Sequence, residues 1–115
     1  MADCIFCRIA AGEIPARVVR RGDGVLAFDD LGAQAPVHVL VIPVKHLAAL
    51  RDAASPEDRA LLGRVVAFAA EVATELGLDA GGYRLVANTG PDGGQTVGHL
   101  HFHLLGGRQM TWPPG

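Results

Sequence analysis

Short runs of apolar residues, several of them alternating with polar positions, recur along the chain and are typical of β-strands. Five such runs are predicted as strands: Val18–Arg21, Val25–Phe28, Val37–Ile42, Tyr83–Asn88 and His99–Leu105. The Gly22-Asp23-Gly24 sequence between the first two runs is typical of a hairpin connection. We therefore expect an antiparallel sheet.

One long segment has a helical pattern. Ser55 is a candidate N-cap, Pro56 falls in the first turn and Gly77 lies beyond the end, so the helix is predicted to run to about Leu76. Its charged residues fall on one narrow stripe, which comprises Glu57, Arg64, Glu71 and Glu75. Apolar residues cover most of the remaining surface: Leu61, Leu62, Val65, Val66, Phe68, Ala69 and Val72. One sheet face would not bury all of them, so we expect a second surface to cover the helix, most simply a second copy of the chain.

A shorter helical segment is predicted at Cys4–Ala11, ended by Gly12. Five strands, one long helix and hairpin connections imply the α+β class with an antiparallel sheet. With 115 residues, the sequence is predicted to form a single domain, 1–115, with an irregular C-terminal tail at 106–115. Half of the residues are hydrophobic, which supports the expectation of a partner subunit.

The charge balance narrows the range of partners. The formal net charge is -2 and the sequence pI is about 6.2, so there is no basic field to attract nucleic acid backbones. No apolar run is long enough to span a membrane, and no signal-peptide pattern opens the sequence. These features favour a cytoplasmic protein that binds neither nucleic acid nor membrane.

Three histidines at alternate positions, His99, His101 and His103, are the most informative feature of the chain. On a strand they would line one face, and the residues between them would point into the core: Leu100, Phe102 and Leu104. Histidine titrates near neutrality, so one ring could be a nucleophile beside an acid partner. A three-histidine metal site and a chance arrangement on a solvated face are the alternatives.

The loop before the histidines favours anion chemistry. The segment 92–96 reads Asp-Gly-Gly-Gln-Thr, and glycine-containing loops of this kind present backbone amides to oxyanions. Cys4 and Cys7, spaced C-x-x-C, are too few for the disulfide framework of a small secreted domain. Metal binding, redox chemistry and simple burial remain open for this pair, although the βαβ context of a thioredoxin-like pair is missing.

These motifs together resemble the histidine-triad (HIT) family, and more narrowly its Hint branch of purine nucleoside phosphoramidases. The resemblance rests on the His-x-His-x-His run, on the Asp-Gly-Gly-Gln-Thr loop and on the ending Trp112-Pro-Pro-Gly115. It extends over almost the whole chain through further motifs: Ile5-Phe6, Glu13-Ile-Pro-Ala16, Leu26-Ala-Phe28, Gln34-Ala-Pro36 and His38-Val-Leu-Val-Ile-Pro43. It implies a HIT-like fold and a homodimer whose two sheets join into one.

The resemblance also implies a role for each matched residue. His101 would be the nucleophile that attacks the α-phosphorus of a nucleoside 5′-phosphoramidate. His103 would contact the phosphoryl oxygens and assist the leaving amine, and His38 would orient it from behind. The residues expected to stabilise charge on the phosphate are Asn88, Gly94, Gln95 and Thr96.

For the nucleoside, Asp30 matches the carboxylate that accepts hydrogen bonds from the ribose hydroxyls. The residues matching the walls of the base slot are Ile5, Phe6, Ile9, Phe28 and Leu31. Such apolar positions are ordinarily core, so this assignment depends on the resemblance. Trp112 matches a tail residue that reaches towards the partner subunit's site.

Cys4, Cys7, His46 and His99 resemble the two-Cys, two-His zinc site of some bacterial HIT proteins. Tetrahedral zinc favours this ligand set, and four protein ligands leave no open position for a reactive water. We therefore expect a structural zinc ion and no organic cofactor, with His99 unavailable as an acid or base.

The function expected is that of an adenosine 5′-monophosphoramidase-like hydrolase, which cleaves purine nucleoside 5′-phosphoramidates through a covalent nucleotidyl-histidine. A dinucleoside polyphosphate hydrolase of a sister HIT branch is one alternative, although the Trp-Pro-Pro-Gly ending speaks against it. A non-catalytic nucleotide-binding or scaffold protein is the other, and the intact His101 and loop argue against that.

Overall fold

A computed structural model of the chain describes residues 3–115. The predicted α+β architecture, with five antiparallel strands, one long helix and a short N-terminal helix, is confirmed. The elements in chain order are α1 (Ile5–Ala10), β1 (Val18–Gly22), β2 (Val25–Asp29), β3 (Val37–Pro43), a 3-10 turn (Leu50–Asp52), α2 (Pro56–Glu75), β4 (Tyr83–Ala87), α3 (Gly90–Gly93) and β5 (Phe102–Gly106).

The five strands form one sheet in the order β1-β2-β3-β5-β4, and all neighbours are antiparallel. The register pairs Gly22 with Val25, so the predicted hairpin has a two-residue turn at Asp23 and Gly24. Gly24 has φ +72°, a conformation that a side chain would strain. Strand β4 pairs only with β5 and is therefore an edge of the sheet.

Helix α2 covers one face of the sheet. Val65 and Val72 are completely buried in a cluster with Val39 and Val41 of β3, which explains the apolar pattern on this side of the helix. Val66, in contrast, is 43% exposed, so the helix also presents an apolar side chain away from the sheet. Within residues 3–115, no helix is both long and apolar enough to span a membrane.

The start of α2 follows the predicted cap only in part. The Ser55 hydroxyl oxygen accepts the backbone N–H of Asp58 at 3.1 Å, as expected of an N-cap. The Asp58 carboxylate does not reach back to Ser55 to complete a capping box, because it accepts from the Lys45 ammonium at 2.5 Å. This bond holds the pKa of Asp58 below its ordinary value.

Helix α1 packs on the opposite face of the sheet, where Phe6 and Ile9 contact Phe28 and Leu40. The rings of Phe6 and Phe28 meet edge to face with centroids 5.5 Å apart. Burial of α1 on this face leaves a concave space between the helix and the strands, and that space holds the candidate site.

The histidine segment differs from the prediction in its bounds. Strand β5 begins at Phe102, so His99 and His101 precede the strand and only His103 lies on it. The side-chain alternation is nevertheless confirmed: Leu100, Phe102 and Leu104 lie in the α2 core. The rings of His99 and His101 both lie against Phe6 on the other face, with centroids 5.9 and 5.2 Å away.

The segment 90–93, expected to be part of an open loop, forms the short helical turn α3. Residues 107–115 beyond β5 have no regular secondary structure, and Gly106 belongs to the strand rather than to the tail. Trp112 is 81% exposed, and the Arg84 guanidinium carbon lies 6.0 Å from its ring centroid. Arg84 also donates to the Thr111 carbonyl at 3.0 Å, so the tail is held against edge strand β4.

Candidate active site and metal centre

A cavity of about 570 Å³ lies between α1, the segment 14–17 and the open face of the sheet. Its floor carries His101 and His103, and Thr96 and Val97 line one end. The lining is mostly apolar with a few polar groups, which is the usual character of a small-molecule site.

All six residues that the sequence assigned to a nucleoside line this cavity: Ile5, Phe6, Ile9, Phe28, Asp30 and Leu31. Three of them, Phe6, Ile9 and Phe28, are also buried in the core between α1 and the sheet. These side chains therefore both pack the core and form a wall of the cavity. Leu31 is 93% exposed and lies at the rim.

His101 is held in one orientation by a backbone acceptor. Its Nδ1 lies 2.7 Å from the carbonyl oxygen of His99. Because a carbonyl only accepts, Nδ1 carries the proton, and in the uncharged ring Nε2 carries the lone pair. The ring is 4% exposed and lines the cavity, so a shielded nitrogen lone pair stands at this position.

His103 is the end of a second hydrogen-bonded chain. The backbone N–H of Gln34 donates to His38 Nδ1 at 3.0 Å, so His38 carries its proton on Nε2. That nitrogen lies 2.9 Å from His103 Nδ1 and 3.3 Å from a carboxylate oxygen of Asp30. Donation to His103 Nδ1 leaves the proton of His103 on Nε2. This series of hydrogen bonds therefore makes His103 Nε2 a hydrogen-bond donor. The ring centroids of His103 and His101 lie 5.0 Å apart.

Burial lowers the pKa of His103, and the neighbouring rings of His101 and His38 lower it further. Asp30 acts in the opposite direction but with a smaller effect. A lowered pKa keeps the His103 ring uncharged at neutral pH, which agrees with the single donor deduced from its partners.

The predicted phosphate loop is built around two glycines with positive φ, Gly90 at +71° and Gly94 at +77°. Thr96 lines the cavity, and within residues 3–115 its backbone N–H donates to no protein acceptor. Asn88 and Gly94 are not among the residues that line the cavity. The Gln95 side chain does not face a phosphate either, because backbone groups of the protein engage both ends of its amide.

The remaining histidine, His99, belongs to a separate cluster with Cys4, Cys7 and His46. Its Nδ1 lies 3.2 Å from Cys4 Sγ and 3.5 Å from Cys7 Sγ, and His46 Nδ1 lies 3.4 Å from Cys7 Sγ. The opposite nitrogen of His99, Nε2, donates to the Pro43 carbonyl at 2.8 Å. The Nδ1 lone pair is thereby directed at the two sulfurs.

The cluster fits a tetrahedral zinc ion. Zinc bonds of ordinary length to sulfur and nitrogen place the two donor atoms roughly 3.5 Å apart, close to the sulfur–nitrogen distances here. The His99 bond to a backbone carbonyl is the outer support that metal-bound histidines ordinarily have. Burial and the neighbouring Cys4 raise the pKa of the Cys7 thiol, and burial lowers the pKa of His99. Both shifts favour uncharged groups in the metal-free chain, so an ion would displace the thiol protons.

Sequence reasoning missed several cavity residues. Arg17 brings a cation to the rim, and Ile14, Pro15 and Leu40 extend the apolar wall. For Ile14 and Pro15 the signal was present in the Glu13-Ile-Pro-Ala16 motif, which contributed to the resemblance but received no role. Trp112 lies outside the cavity of its own chain.

Sequence comparisons identify the family. The family described as HIT domain matches residues 11–110. An uncharacterized HIT-like protein from Synechocystis sp. is 55% identical over 113 residues, covering 98% of this chain and 97% of that protein. A 14 kDa zinc-binding protein from Brassica juncea is 50% identical over 115 residues, covering 98% of this chain and all of that protein.

The fold comparison gives the same family. A HIT family hydrolase from Legionella pneumophila superposes with a TM-score of 0.94 at 52% identity, covering 98% of this chain and 100% of that one. A histidine triad protein from Clostridium difficile superposes with a TM-score of 0.92 at 43% identity, covering 96% of each chain. The family model, the sequence relatives and the solved structures agree, and the chain belongs to the HIT family.

Proposed function

We propose that the protein is a nucleotide hydrolase of the Hint type, which cleaves purine nucleoside 5′-phosphoramidates through a nucleotidyl-histidine. The observation that carries this proposal is the His101 Nδ1–H bond to the His99 carbonyl, which leaves Nε2 as a lone pair in the cavity. The hydrolase named among the solved relatives, from Legionella pneumophila, supports the reaction class.

In the proposed first step, His101 Nε2 attacks the α-phosphorus and the P–N bond breaks. The departing nitrogen is protonated from solvent, accepts the Nε2–H hydrogen bond of His103 and leaves as an amine, so a covalent nucleotidyl-His101 remains. In the second step, water attacks the same phosphorus, loses a proton to solvent and displaces His101, which releases the nucleoside monophosphate. Two displacements at an accessible phosphorus replace one difficult displacement.

Charge that develops on the phosphoryl oxygens needs donors close to His101. Thr96 lines the cavity, and its hydroxyl and its backbone N–H, which donates to no acceptor among residues 3–115, suit this role. His103 contributes a further N–H. Asn88 and Gly94, which the resemblance assigns to the phosphate, would have to act from outside the lining of the free cavity.

Nucleoside recognition is assigned to the apolar end of the cavity. The base would lie against the wall that the α1 residues and Phe28 form together, where apolar contact stabilises a purine without requiring polar partners. Asp30 has one oxygen bonded to the Gly32 N–H at 2.7 Å and the other 3.3 Å from His38 Nε2. Its remaining lone pairs are available to ribose hydroxyls.

We assign the two-Cys, two-His cluster to structural zinc. Cys4, Cys7, His46 and His99 would supply all four ligands, so the ion would fix the N-terminal helix to the histidine segment and would not bind substrate. The zinc-binding relative from Brassica juncea supports this assignment.

The functional unit is proposed to be a homodimer. Edge strand β4 has an open hydrogen-bonding side, and exposed apolar side chains lie on β4 at Tyr83 and on α2 at Val66. Pairing of two such edges would cover both, and Trp112, held beside β4 by Arg84, would then reach towards the partner subunit.

The nucleophile is tested by His101→Ala. Because no other ring has its free nitrogen in this position, we expect loss of the covalent adduct and a fall in kcat of at least about three orders of magnitude. Intact-protein mass spectrometry after rapid acid quench with adenosine 5′-phosphoramidate detects the adduct. Turnover of a dinucleoside polyphosphate measured in parallel distinguishes the sister-branch activity. An adduct of unchanged yield on the variant would refute the assignment of His101.

The metal is tested by Cys4→Ser. Cys4 Sγ also caps α1 by accepting from the Cys7 N–H at 3.3 Å, and a serine hydroxyl keeps that cap, so the variant removes a metal ligand selectively. We expect zinc per chain to fall and Tm to drop by about 10 °C or more, with kcat per folded molecule changed less than twofold or so. Chelator-treated wild type is the control, because the difference in Tm should then disappear. Wild-type protein purified without chelator and carrying far less than one zinc per chain would contradict the assignment.

The dimer is tested by Val66→Glu, which places a charge on the exposed apolar side of α2. We expect sedimentation to show a dimeric wild type and a largely monomeric variant, because burial of an unpaired carboxylate is costly. Val18→Glu is the matched control, since Val18 is 41% exposed but lies on the opposite edge strand β1. A monomeric wild type, or equal dimer stability in both variants, would count against this interface.

A further inference from the structure

The side chain of Gln95 makes an unusually complete set of bonds for a partly exposed residue. Its Nε2 donates to the Ala48 carbonyl at 2.7 Å and to the Val97 carbonyl at 3.0 Å. Its Oε1 accepts the backbone N–H of Gly90 at 3.1 Å. Both amide protons and the amide oxygen are therefore used on backbone groups, and none is directed at the cavity.

These bonds close the loop 90–97 on itself. The backbone N–H of Gln95 donates to the Gly90 carbonyl at 3.1 Å, and the side-chain oxygen accepts from the N–H of the same glycine. Gly90 and Gly94 both adopt positive φ, and glycine leaves the backbone free to adopt many other conformations. The Gln95 side chain thus restrains a loop whose two glycines would otherwise leave its backbone flexible.

The same amide also fixes where the loop sits. Ala48, which accepts from Gln95, lies 47 residues before it in the sequence. The carbonyl of the preceding residue, Leu47, accepts the backbone N–H of Leu100 at 2.6 Å. Leu100 directly precedes His101. The phosphate loop and the histidine segment are therefore tied to one common strip of backbone, at Leu47 and Ala48. The separation of Thr96 from His101 depends on this double attachment.

We propose that Gln95 is a positioning residue, which holds the loop so that the Thr96 N–H and hydroxyl face the phosphorus attacked by His101. The proposal rests on the proposed function and extends it, because it replaces direct phosphate contact by Gln95 with an indirect role. Gln95 is expected to affect the binding of phosphate groups and the chemical step, and to leave nucleoside binding at the far end of the cavity unchanged.

Two substitutions test the role. Gln95→Glu keeps the shape and the Oε1 acceptor but replaces both N–H donors with an oxygen that faces the Ala48 and Val97 carbonyls. Gln95→Asn keeps the amide and adds no charge, but it is one methylene too short to reach its partners together. Gln109 is an exposed glutamine whose amide, within residues 3–115, donates only to the Met110 carbonyl, and it gives the matched pair Gln109→Glu and Gln109→Asn.

The measurements are Kd for adenosine, Kd for adenosine 5′-monophosphate, and kcat for adenosine 5′-phosphoramidate, at low and at high salt. For both Gln95 variants we expect Kd for the monophosphate to rise about tenfold or more, with Kd for adenosine within about twofold of wild type. We expect kcat to fall by roughly ten- to a hundredfold, as a displaced loop would cause. The deficit should persist at high salt, because screening weakens long-range charge effects but not lost hydrogen bonds. Both Gln109 variants should match wild type.

Several results would overturn the proposal. Equal losses of adenosine and monophosphate binding would indicate general structural damage. A Gln95→Glu deficit that vanishes at high salt, with Gln95→Asn normal, would show that charge alone is responsible. Failure of both Gln95 variants to fold would make the residue a requirement of the fold instead. Wild-type binding of the monophosphate with unaffected Gln95 variants would refute only this inference, whereas a wild type that neither binds nor turns over these compounds would refute the proposed function as well.

Discussion

A single hydrogen bond, from His101 Nδ1 to the His99 carbonyl at 2.7 Å, is the constraint on which the site depends. It fixes which nitrogen of a buried ring carries the proton and therefore which nitrogen has a lone pair. The His99 ring is itself bonded on both sides, to Pro43 through Nε2 and to the cysteine cluster through Nδ1. The proposed metal centre and the proposed nucleophile thus share one residue, whose ring serves the first and whose backbone serves the second.

The three histidines of the run differ because of their partners and not because of their spacing. His99 faces sulfur, His101 faces a backbone carbonyl, and His103 faces His38, whose own tautomer is set by a backbone N–H. A backbone group takes part in the hydrogen bonding that orients each of the three rings. A backbone N–H always donates and a backbone carbonyl always accepts, so these roles cannot change. Three chemically identical side chains within five residues therefore present three different groups: a lone pair directed at sulfur, a lone pair directed into the cavity and an N–H donor.

Much of this arrangement could be predicted from local patterns. The alternation around Leu100 and Phe102 correctly assigned the histidines to one face and the apolar residues to the core. Successive side chains of an extended chain point to opposite faces, so the assignment follows from whether a position is odd or even. The same argument could not place the start of β5 at Phe102, since strand bounds depend on pairing with β3 and β4. The bond from Gln95 to Ala48 spans 47 residues and has no local signal. Arg17 at the rim was missed for the same reason: its place follows from how the segment after α1 crosses the sheet.

The central claim, that the His99 carbonyl fixes the His101 tautomer, is tested most directly by nitrogen NMR of histidine-labelled protein. Spectra recorded at about pH 8.5, well above the ordinary histidine pKa, report which ring nitrogen is protonated. His101→Gln identifies the resonances of this ring by their loss. The account predicts a protonated Nδ1 and an unprotonated Nε2 for His101. A proton found on Nε2 would contradict it, because no lone pair would then face the cavity.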